Sequence, residues 1–241
     1  MIGLGVLAVV IPFALFGLLI FGAVTLFRRG ADAIDLSPRS LLRFYLYLAS
    51  LAGILTLVVG LSGILNAGFA AAFGDGFVYG AQPVPVRSIA PLCVQPPNQA
   101  NLKCAEPQPD FQRQQDRQAE RRRAEDLIRG ITFSLFGAGF WAAHWAARRG
   151  VIGTDEGHSG LRRGYLMLGT VIFGLSTIAL LPMGIYQALS YLILPVTEGV
   201  YRQGAGESLS GGLVTLPVWL IYLWLVVRDV RAVRAIPAPT A

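Results

Sequence analysis

Residues 43–60 read RFYLYLASLAGILTLVVG, an arginine followed only by uncharged and mostly apolar residues. The charge-free stretch that begins here covers residues 44–72. About 20 residues at about 1.5 Å each are enough for a helix to cross a hydrocarbon layer of about 30 Å. The stretch therefore predicts a membrane-spanning helix.

Four further stretches also lack charged residues: 2–27, 130–147, 165–195 and 211–227. Charged residues make up only 14% of the chain, whereas roughly 25% is usual in a soluble domain. The sequence therefore predicts an all-α membrane protein with five transmembrane helices. The last stretch is the shortest, and an interfacial helix is the alternative for it.

The first stretch, residues 2–27, differs from a cleaved signal peptide. It lacks a positively charged start and a small-residue cleavage site, and Arg28 and Arg29 follow it directly. We expect a retained helix with a kink at Pro12, which a membrane helix tolerates when its neighbours satisfy the freed carbonyl group.

The arginines predict the orientation, because short cytoplasmic loops are enriched in positive charge. An external N-terminus places eleven arginines on the inner side: Arg28, Arg29, Arg39, Arg43, Arg148, Arg149, Arg162, Arg163, Arg228, Arg231 and Arg234. The long connection 73–129 carries both signs of charge and is then external, and long connections cross largely regardless of charge. We expect a bacterial inner (cytoplasmic) membrane protein with an external N-terminus and a cytoplasmic C-terminus.

The external connection holds both cysteines of the chain, Cys93 and Cys104, in a proline-rich part that excludes long helices. We expect a disulfide between them if that side is oxidising, and two free thiols otherwise. Without a nearby histidine the two thiols supply too few ligands for a metal site.

Residues 110–129 have helical composition with almost no apolar face, which predicts a solvated extension of the third membrane helix. Arg121 with Glu125, and Arg122 with Asp126, have the i, i+4 spacing of weak ion pairs. A patch around Arg123 that binds RNA or phospholipid is the alternative. A solvated face fits better, since acidic residues interleave with the arginines, and we expect no nucleic-acid partner.

An internal repeat appears when position 43 is aligned with position 163. The alignment matches Arg43 with Arg163, Tyr45 with Tyr165, Leu46 with Leu166 and Leu48 with Leu168. The closing helices match more loosely, in a separate alignment of residues 140–149 with 218–228 that pairs Trp141 with Trp219 and His144 with Tyr222. Each unit is a helix pair, so both copies have the same orientation. The predicted organisation is an N-terminal helix (1–29), a first helix pair (41–149) with an inserted external segment (73–129), a second helix pair (161–231) and a flexible cytoplasmic tail (232–241).

These motifs resemble a bacterial integral-membrane family of unknown function. Its helix pairs begin with an Arg-x-Tyr-Leu-Tyr stretch and close with a Trp-x-x-His-Trp stretch. The resemblance covers residues 42–149 and, more weakly, 162–228, where Met167 and Tyr222 depart from the pattern. It implies a membrane fold and no particular activity.

Arginine, tyrosine and tryptophan at helix ends favour the headgroup level of a bilayer. We expect interface anchors at Arg43, Tyr45, Tyr47, Trp141, His144, Trp145, Arg148, Arg163 and Tyr165. His144 could instead bind haem iron or contact a quinone or a lipid headgroup, but the only other histidine, His158, lies in a polar connection.

Small residues recur every fourth position in the third helix, at Gly139, Ala143 and Ala147 among others, and in the second helix at Ala49 and Gly53. Such faces predict close packing inside the bundle, with dimerisation or docking to another subunit as the alternative. Pro182 and Gly184 indicate a kink in the fourth helix, or a break at a binding site.

The predicted spans contain no acidic or basic side chain, so a coupled transporter is disfavoured. No nucleophile motif, phosphate loop or metal-binding histidine pair is visible, and the sequence predicts no enzyme, catalytic residue, cofactor or metal. We expect a noncatalytic accessory or structural protein that associates with lipid, other membrane subunits or itself. The alternative is a transporter or channel for a neutral or lipid-like solute, with Asn66 and Gln187 lining its path.

Overall fold

The computed structural model describes residues 37–80, 109–152, 160–194 and 203–234. The first apolar stretch, Cys93, Cys104, His158 and the tail beyond residue 234 lie outside these ranges, so the predictions made for them stay predictions. Within the described ranges the chain is all-helical, and no β-strand is present.

Five helices follow one another in the described residues. They are α1 (Pro38–Phe73), α2 (Asp75–Tyr79), α3 (Pro109–Ile152), α4 (Gly160–Ile193) and α5 (Gly206–Arg234).

Three of these helices are long and apolar enough to cross a membrane: α1, α4 and residues Gly206–Arg231 of α5. The predicted third crossing, residues 130–147, lies in α3, which is not among them. Its apolar half is diluted by small residues, tryptophans and His144, and it continues into a charged half. Three of the five predicted crossings therefore correspond to helices that could span a membrane. Residues 130–147 do not, and residues 2–27 lie outside the described part.

Helix α1 has a clear start and end. The Ser37 hydroxyl accepts a hydrogen bond from the Ser40 backbone N–H at 3.3 Å, and Pro38 occupies the first turn, where its missing N–H is harmless. Gly74, at φ 86°, ends the helix and donates its N–H to the Ala70 carbonyl oxygen at 3.1 Å. The chain then turns at once into α2.

Helix α3 is continuous over 44 residues, which corresponds to a rod of about 66 Å. The predicted extension of residues 110–129 into the third apolar stretch is thus confirmed. Most of its charged side chains are exposed, including Arg121, Arg122 and Arg123.

Helix α4 is also continuous, with Pro182 inside it. The alternative of a broken helix at Pro182 and Gly184 is therefore wrong. Pro182 lies on the exposed side of the helix.

The long helices form two antiparallel pairs. In the first pair, α1 and α3 meet backbone to backbone through glycines spaced by seven residues, Gly53 and Gly60 on α1 and Gly130 and Gly137 on α3. A β-carbon added to Gly53 would lie 2.8 Å from the Trp141 backbone nitrogen. No larger residue fits this spacing, which is why the two helices stay close along their apolar halves.

In the second pair, α4 and α5 meet partly through rings. The Tyr222 ring covers Gly169, and the Trp219 indole covers Gly174. Farther along, the Thr177 hydroxyl donates to the Thr215 hydroxyl at 3.1 Å. Helix α1 joins this pair through a shared apolar core made of Leu51, Val58, Leu166, Ile172, Phe173 and Tyr222.

The predicted small-residue faces divide between two roles. Ala49 and Gly53 are buried, as predicted for a packing face. The face of Gly139, Ala143 and Ala147 is exposed, and a β-carbon added to Gly139 meets nothing within 4 Å. Among the described helices this face has no packing partner, because α3 uses its glycine side, Gly130 and Gly137, against α1 instead.

Candidate functional site

Polar groups gather at the two ends of the helix bundle. We call one the carboxylate end, formed by Asn66, α2, Asp126 and the start of α5. We call the other the arginine end, formed by the start of α1 and α4, the end of α3 and the end of α5.

Asp126 lies at the centre of the carboxylate end and is only 8% exposed. Its Oδ2 accepts hydrogen bonds from Asn66 Nδ2 at 2.7 Å and from the Tyr79 hydroxyl at 3.0 Å. Its Oδ1 accepts one from Arg129 Nη2 at 2.6 Å. One carboxylate therefore ties α1, α2 and α3 together, and the predicted ion pair with Arg122 is wrong because Asp126 turns toward α1.

Helix α5 closes the same end. The Ala205 backbone N–H donates to the Phe77 carbonyl oxygen at 2.8 Å, and Gly206 lies against Asn66 Oδ1 and Val78. Because a β-carbon at Gly206 would collide with both of these neighbours, only glycine allows α5 to start here.

Several buried oxygens at this end accept no hydrogen bond from the described residues. They include Asn66 Oδ1, Asp75 Oδ1 and Gln187 Oε1. Burial, followed by the Asp126 and Asp75 carboxylates, raises the pKa of Tyr79 above its usual range. The phenol therefore stays protonated and keeps donating to Asp126 at neutral pH.

At the arginine end, His144 bridges the first helix pair. Its Nδ1 lies 2.8 Å from the Phe140 carbonyl oxygen, and its Nε2 lies 3.3 Å from the Tyr45 hydroxyl. A carbonyl oxygen only accepts, so Nδ1 carries the proton and Nε2 accepts from Tyr45. The nitrogen that a haem iron would need thus faces a tyrosine hydroxyl.

The second pair has a similar bridge. The Tyr165 and Tyr222 hydroxyls lie 2.6 Å apart. Tyr47 packs its ring 5.0 Å from that of Tyr165 and so connects the two pairs. The Arg148 guanidinium carbon lies 4.9 Å from the centre of the Tyr47 ring.

Two more arginines at this end stack on aromatic rings: Arg149 lies 3.6 Å from the Trp145 ring centre, and Arg228 lies 5.2 Å from that of Trp224. Arg162 pairs with Asp229 at 3.1 Å. Such contacts hold long arginine side chains along the apolar surface while their charged groups stay near the polar boundary.

The predicted anchor residues thus lie at one end of the molecule, in three environments. Tyr47 is buried, whereas His144, Trp145, Arg148 and Tyr165 are half-buried. Tyr45, Arg43 and Arg163 are exposed, and Trp141 is half-buried with its backbone pressed on Gly53.

Sequence reasoning missed Asp126 and Tyr79 as parts of a buried cluster. The available signal was spacing, since Asp126 precedes Gly130 by four residues and Gly137 by eleven, which puts all three on one helix face. Tyr79 carried no such signal, because its position depends on the turn at Gly74.

No protein-family model, curated protein or solved structure matches this chain.

Proposed function

We propose that this chain is a noncatalytic integral membrane protein, an accessory or structural component that associates with lipid and with other membrane subunits or a second copy of itself. We further propose that the protein lies in a bacterial inner membrane, with the arginine end on the cytoplasmic side.

The observation that carries this proposal is the distribution of polar and apolar side chains. Large apolar side chains face outward on α4, including Leu175, Ile178 and Leu192 at 57%, 67% and 71% exposure. Buried polar side chains include Ser50, Thr177, Gln187, Ser210 and Thr215. A water-soluble bundle buries its large apolar residues first, whereas lipid tails solvate them and leave small and polar groups to join the helices.

Charge at the arginine end supports the orientation. Asp229 is paired with Arg162 there, while four other arginines of the same helix ends are exposed, namely Arg39, Arg43, Arg149 and Arg163. Positive charge next to spanning helices favours the cytoplasmic face.

The two helix pairs support descent from one repeated unit. Tyr45 corresponds to Tyr165 under the alignment of position 43 with position 163, and His144 corresponds to Tyr222 under the separate alignment of 140–149 with 218–228. These residues form the hydrogen bond that bridges each pair at the arginine end. The resemblance to a membrane family with tandem helix pairs agrees with this interpretation.

The exposed face of α3 is the part best suited to a protein partner. Gly139, Ala143 and Ala147 offer a shallow surface on the one long helix that is not apolar enough to count as a span. A second membrane helix can approach such a surface closely and gain dispersion contacts that lipid supplies poorly.

Membrane extraction tests the proposal. We expect the chain to resist an alkaline wash of the membranes and to elute from mild detergent with a second chain or a second copy. Ala143→Leu should abolish that association, whereas Ala52→Leu, the same change at an exposed position on α1, should preserve it. A chain that stays in the aqueous fraction, or elutes alone in both variants, would refute the proposal.

Thiol labelling tests the orientation separately. Cys93 and Cys104 are the only cysteines, so a membrane-impermeant maleimide on intact cells should label the chain, and only after reduction if the two form a disulfide. Labelling that requires broken cells would reverse the orientation.

A transporter or channel for a neutral or lipid-like solute is the second candidate, and one observation favours it. Asn66 and Gln187, both buried, each keep a carbonyl oxygen that accepts no hydrogen bond from the described residues. Such oxygens suit a solute that donates hydrogen bonds. Uptake of a neutral solute into vesicles, lost in Gln187→Leu, would favour this candidate over the first.

A further inference from the structure

Arg148 differs in its surroundings from the other arginines at the arginine end. It is half-buried, and its guanidinium lies over Tyr47 in the seam where the first helix pair meets the second. The Tyr47 ring packs in turn on the Tyr165 ring, whose hydroxyl meets that of Tyr222. A positive charge is thus held in a cleft lined by tyrosines.

No carboxylate among the described residues forms an ion pair with Arg148. The ion pairs that the described residues do form join Arg129 to Asp126 and Arg162 to Asp229. A guanidinium has five N–H donors and no acceptor, and its contact with the Tyr47 ring face uses none of them in a hydrogen bond. These donors are open to water or to an anion, and an oxygen anion would pair with the charge as well as accept the hydrogen bonds.

The seam offers a second kind of donor. Tyr165 and Tyr222 share one hydrogen bond, so one hydroxyl donates and the other accepts. The accepting hydroxyl keeps its own hydrogen, which remains a donor in the same seam. A planar cationic fork and a phenol hydroxyl linked through the Tyr47 and Tyr165 rings provide donors that suit an oxygen anion.

We propose that Arg148, with the Tyr165–Tyr222 hydroxyl pair, forms a binding site for a single phosphate oxyanion at the mouth of the seam between the two helix pairs. The inference rests on the proposed function, which places this end at the level of the lipid headgroups. The phosphate can belong to an anionic phospholipid or to a soluble molecule.

Quenching of tryptophan fluorescence by brominated lipid tests the site. Trp141 and Trp145 lie within two turns of Arg148 on α3, so lipid bound at the site quenches them. The chain is placed in nanodiscs that mix phosphatidylcholine with brominated phosphatidylglycerol. The dependence of quenching on the mole fraction of the brominated lipid gives the binding constant of phosphatidylglycerol relative to that of phosphatidylcholine. One arginine near a headgroup contributes roughly a five-fold preference for the anionic lipid, and we expect Arg148→Gln to remove it.

Matched variants separate the site from general positive charge. Arg228→Gln removes an arginine that also stacks on a ring at the same end, but from an exposed position, and should keep the preference. Arg148→Lys should retain part of it and covers the case in which Arg148→Gln fails to fold. An equal loss in Arg148→Gln and Arg228→Gln, or no loss in Arg148→Gln and Arg148→Lys, would overturn the proposal.

Added inorganic phosphate distinguishes the two sources. If it lowers quenching in the wild type and not in Arg148→Gln, the site takes soluble phosphate as well. If it has no effect while the Arg148 dependence holds, the phosphate is that of the lipid. Both results support an oxyanion site.

Two outcomes would show where the inference fails. Asp155 and Glu156 lie outside the described residues, and if one of them neutralises Arg148, Arg148→Gln will leave the lipid preference unchanged in the wild type and lower it only in the double variant Asp155→Asn, Glu156→Gln, which would overturn the site in the natural chain. A chain that does not enter nanodiscs would overturn the proposed function as well, whereas one that enters without Arg148 dependence would overturn this inference alone.

Discussion

The two helix pairs join their helices by different means. In the first pair, α1 and α3 touch through glycine backbones along their apolar halves and share a buried carboxylate, Asp126, at one end. In the second pair, α4 and α5 are joined near the arginine end by aromatic rings that lie on Gly169 and Gly174, and farther along by a threonine hydrogen bond. Contacts between glycines and backbone run along the first interface, whereas the second combines rings on glycine near the arginine end with glycine–backbone contacts at Gly184 and Gly212 farther along.

This difference has a physical consequence for tolerance. A backbone contact cannot move aside, so any side chain added at Gly60 or Gly137 must separate the helices. A ring on glycine can rotate by a few degrees and lose only part of its contacts. We therefore expect the glycine–backbone contacts of the first pair to respond to small changes more steeply than the ring contacts at Gly169 and Gly174 in the second.

The largest effect is expected for Gly137→Val in the first pair. An added side chain would collide with the Leu57 backbone and the Gly53 carbonyl oxygen, so the free energy of unfolding should fall by about 3 kcal/mol or more. Equilibrium unfolding by a denaturing detergent, followed by circular dichroism, measures it. Gly68→Ala is the control, since nothing lies within 4 Å of its added β-carbon, and it should be neutral or slightly stabilising. A mild effect at Gly137 would mean that the two helices do not depend on close approach.

A smaller effect is expected for Asp126→Ala, which removes the charged partner of Asn66 and Tyr79. Hydrogen bonds to a charged group contribute about 1.5–3 kcal/mol, and the Arg129 partner adds little because 53% of its side chain is exposed. The loss should be about 2 kcal/mol in the same unfolding measurement. Thr215→Val, which removes the neutral hydrogen bond between Thr177 and Thr215 in the second pair, should cost about 1 kcal/mol. Equal losses would show that the carboxylate contributes no more than a hydroxyl.

The bridging tyrosines give a smaller and more graded comparison. Tyr165→Phe removes a 2.6 Å hydrogen bond to a buried hydroxyl and should lower the free energy of unfolding by about 1 kcal/mol. Tyr45→Phe removes a 3.3 Å bond from a side chain that is 54% exposed, so only a few tenths of a kcal/mol are expected. The reverse order would indicate that the first bridge, not the second, holds its helices together.

The sequence was sufficient to predict the helical class, because runs of uncharged residues depend only on composition along the chain. It also predicted which residues gather at the arginine end, since Arg43, Tyr45, Trp145 and Arg148 all flank apolar runs. Three of the five predicted crossings correspond to helices apolar enough to span. The continuity of α3 from its charged half into its apolar half followed from composition as well.

Which helix face packs could not be predicted from composition. The face of Gly139 and Ala143 matched the small-residue pattern as well as the face of Gly130 and Gly137, yet only the second meets α1. Which face of α3 packs on α1 depends on the register between these two helices. They are about 70 residues apart in the chain, so no local sequence pattern encodes that register. The buried role of Asp126 was missed for the same reason, since its burial depends on Asn66 and on a turn made by Gly74.

A further small effect concerns pH at the carboxylate end. Burial and the Asp126 and Asp75 carboxylates raise the pKa of Tyr79 above that of the unfolded chain, which is about 10. A phenol with a raised pKa in the folded state gives stability that is full below about pH 10 and is lost as pH rises through that value toward the folded pKa. The Tyr79→Phe variant lacks this pH-dependent contribution to the free energy of unfolding.

Between about pH 9 and about pH 11 the wild type should therefore lose about 0.5 kcal/mol more stability than Tyr79→Phe, a figure reduced for the partial exposure of the phenol. Unfolding of both chains at each pH in the same detergent measures the difference. Tyr186→Phe is the control, because Tyr186 is 67% exposed and should follow the wild type. Parallel pH profiles for wild type and Tyr79→Phe would mean that the phenol ionises in the folded state as readily as in the unfolded chain. Helix α2 would then be held in the bundle by its other contacts, namely the burial of Phe77 and Val78 and the hydrogen bond from Ala205.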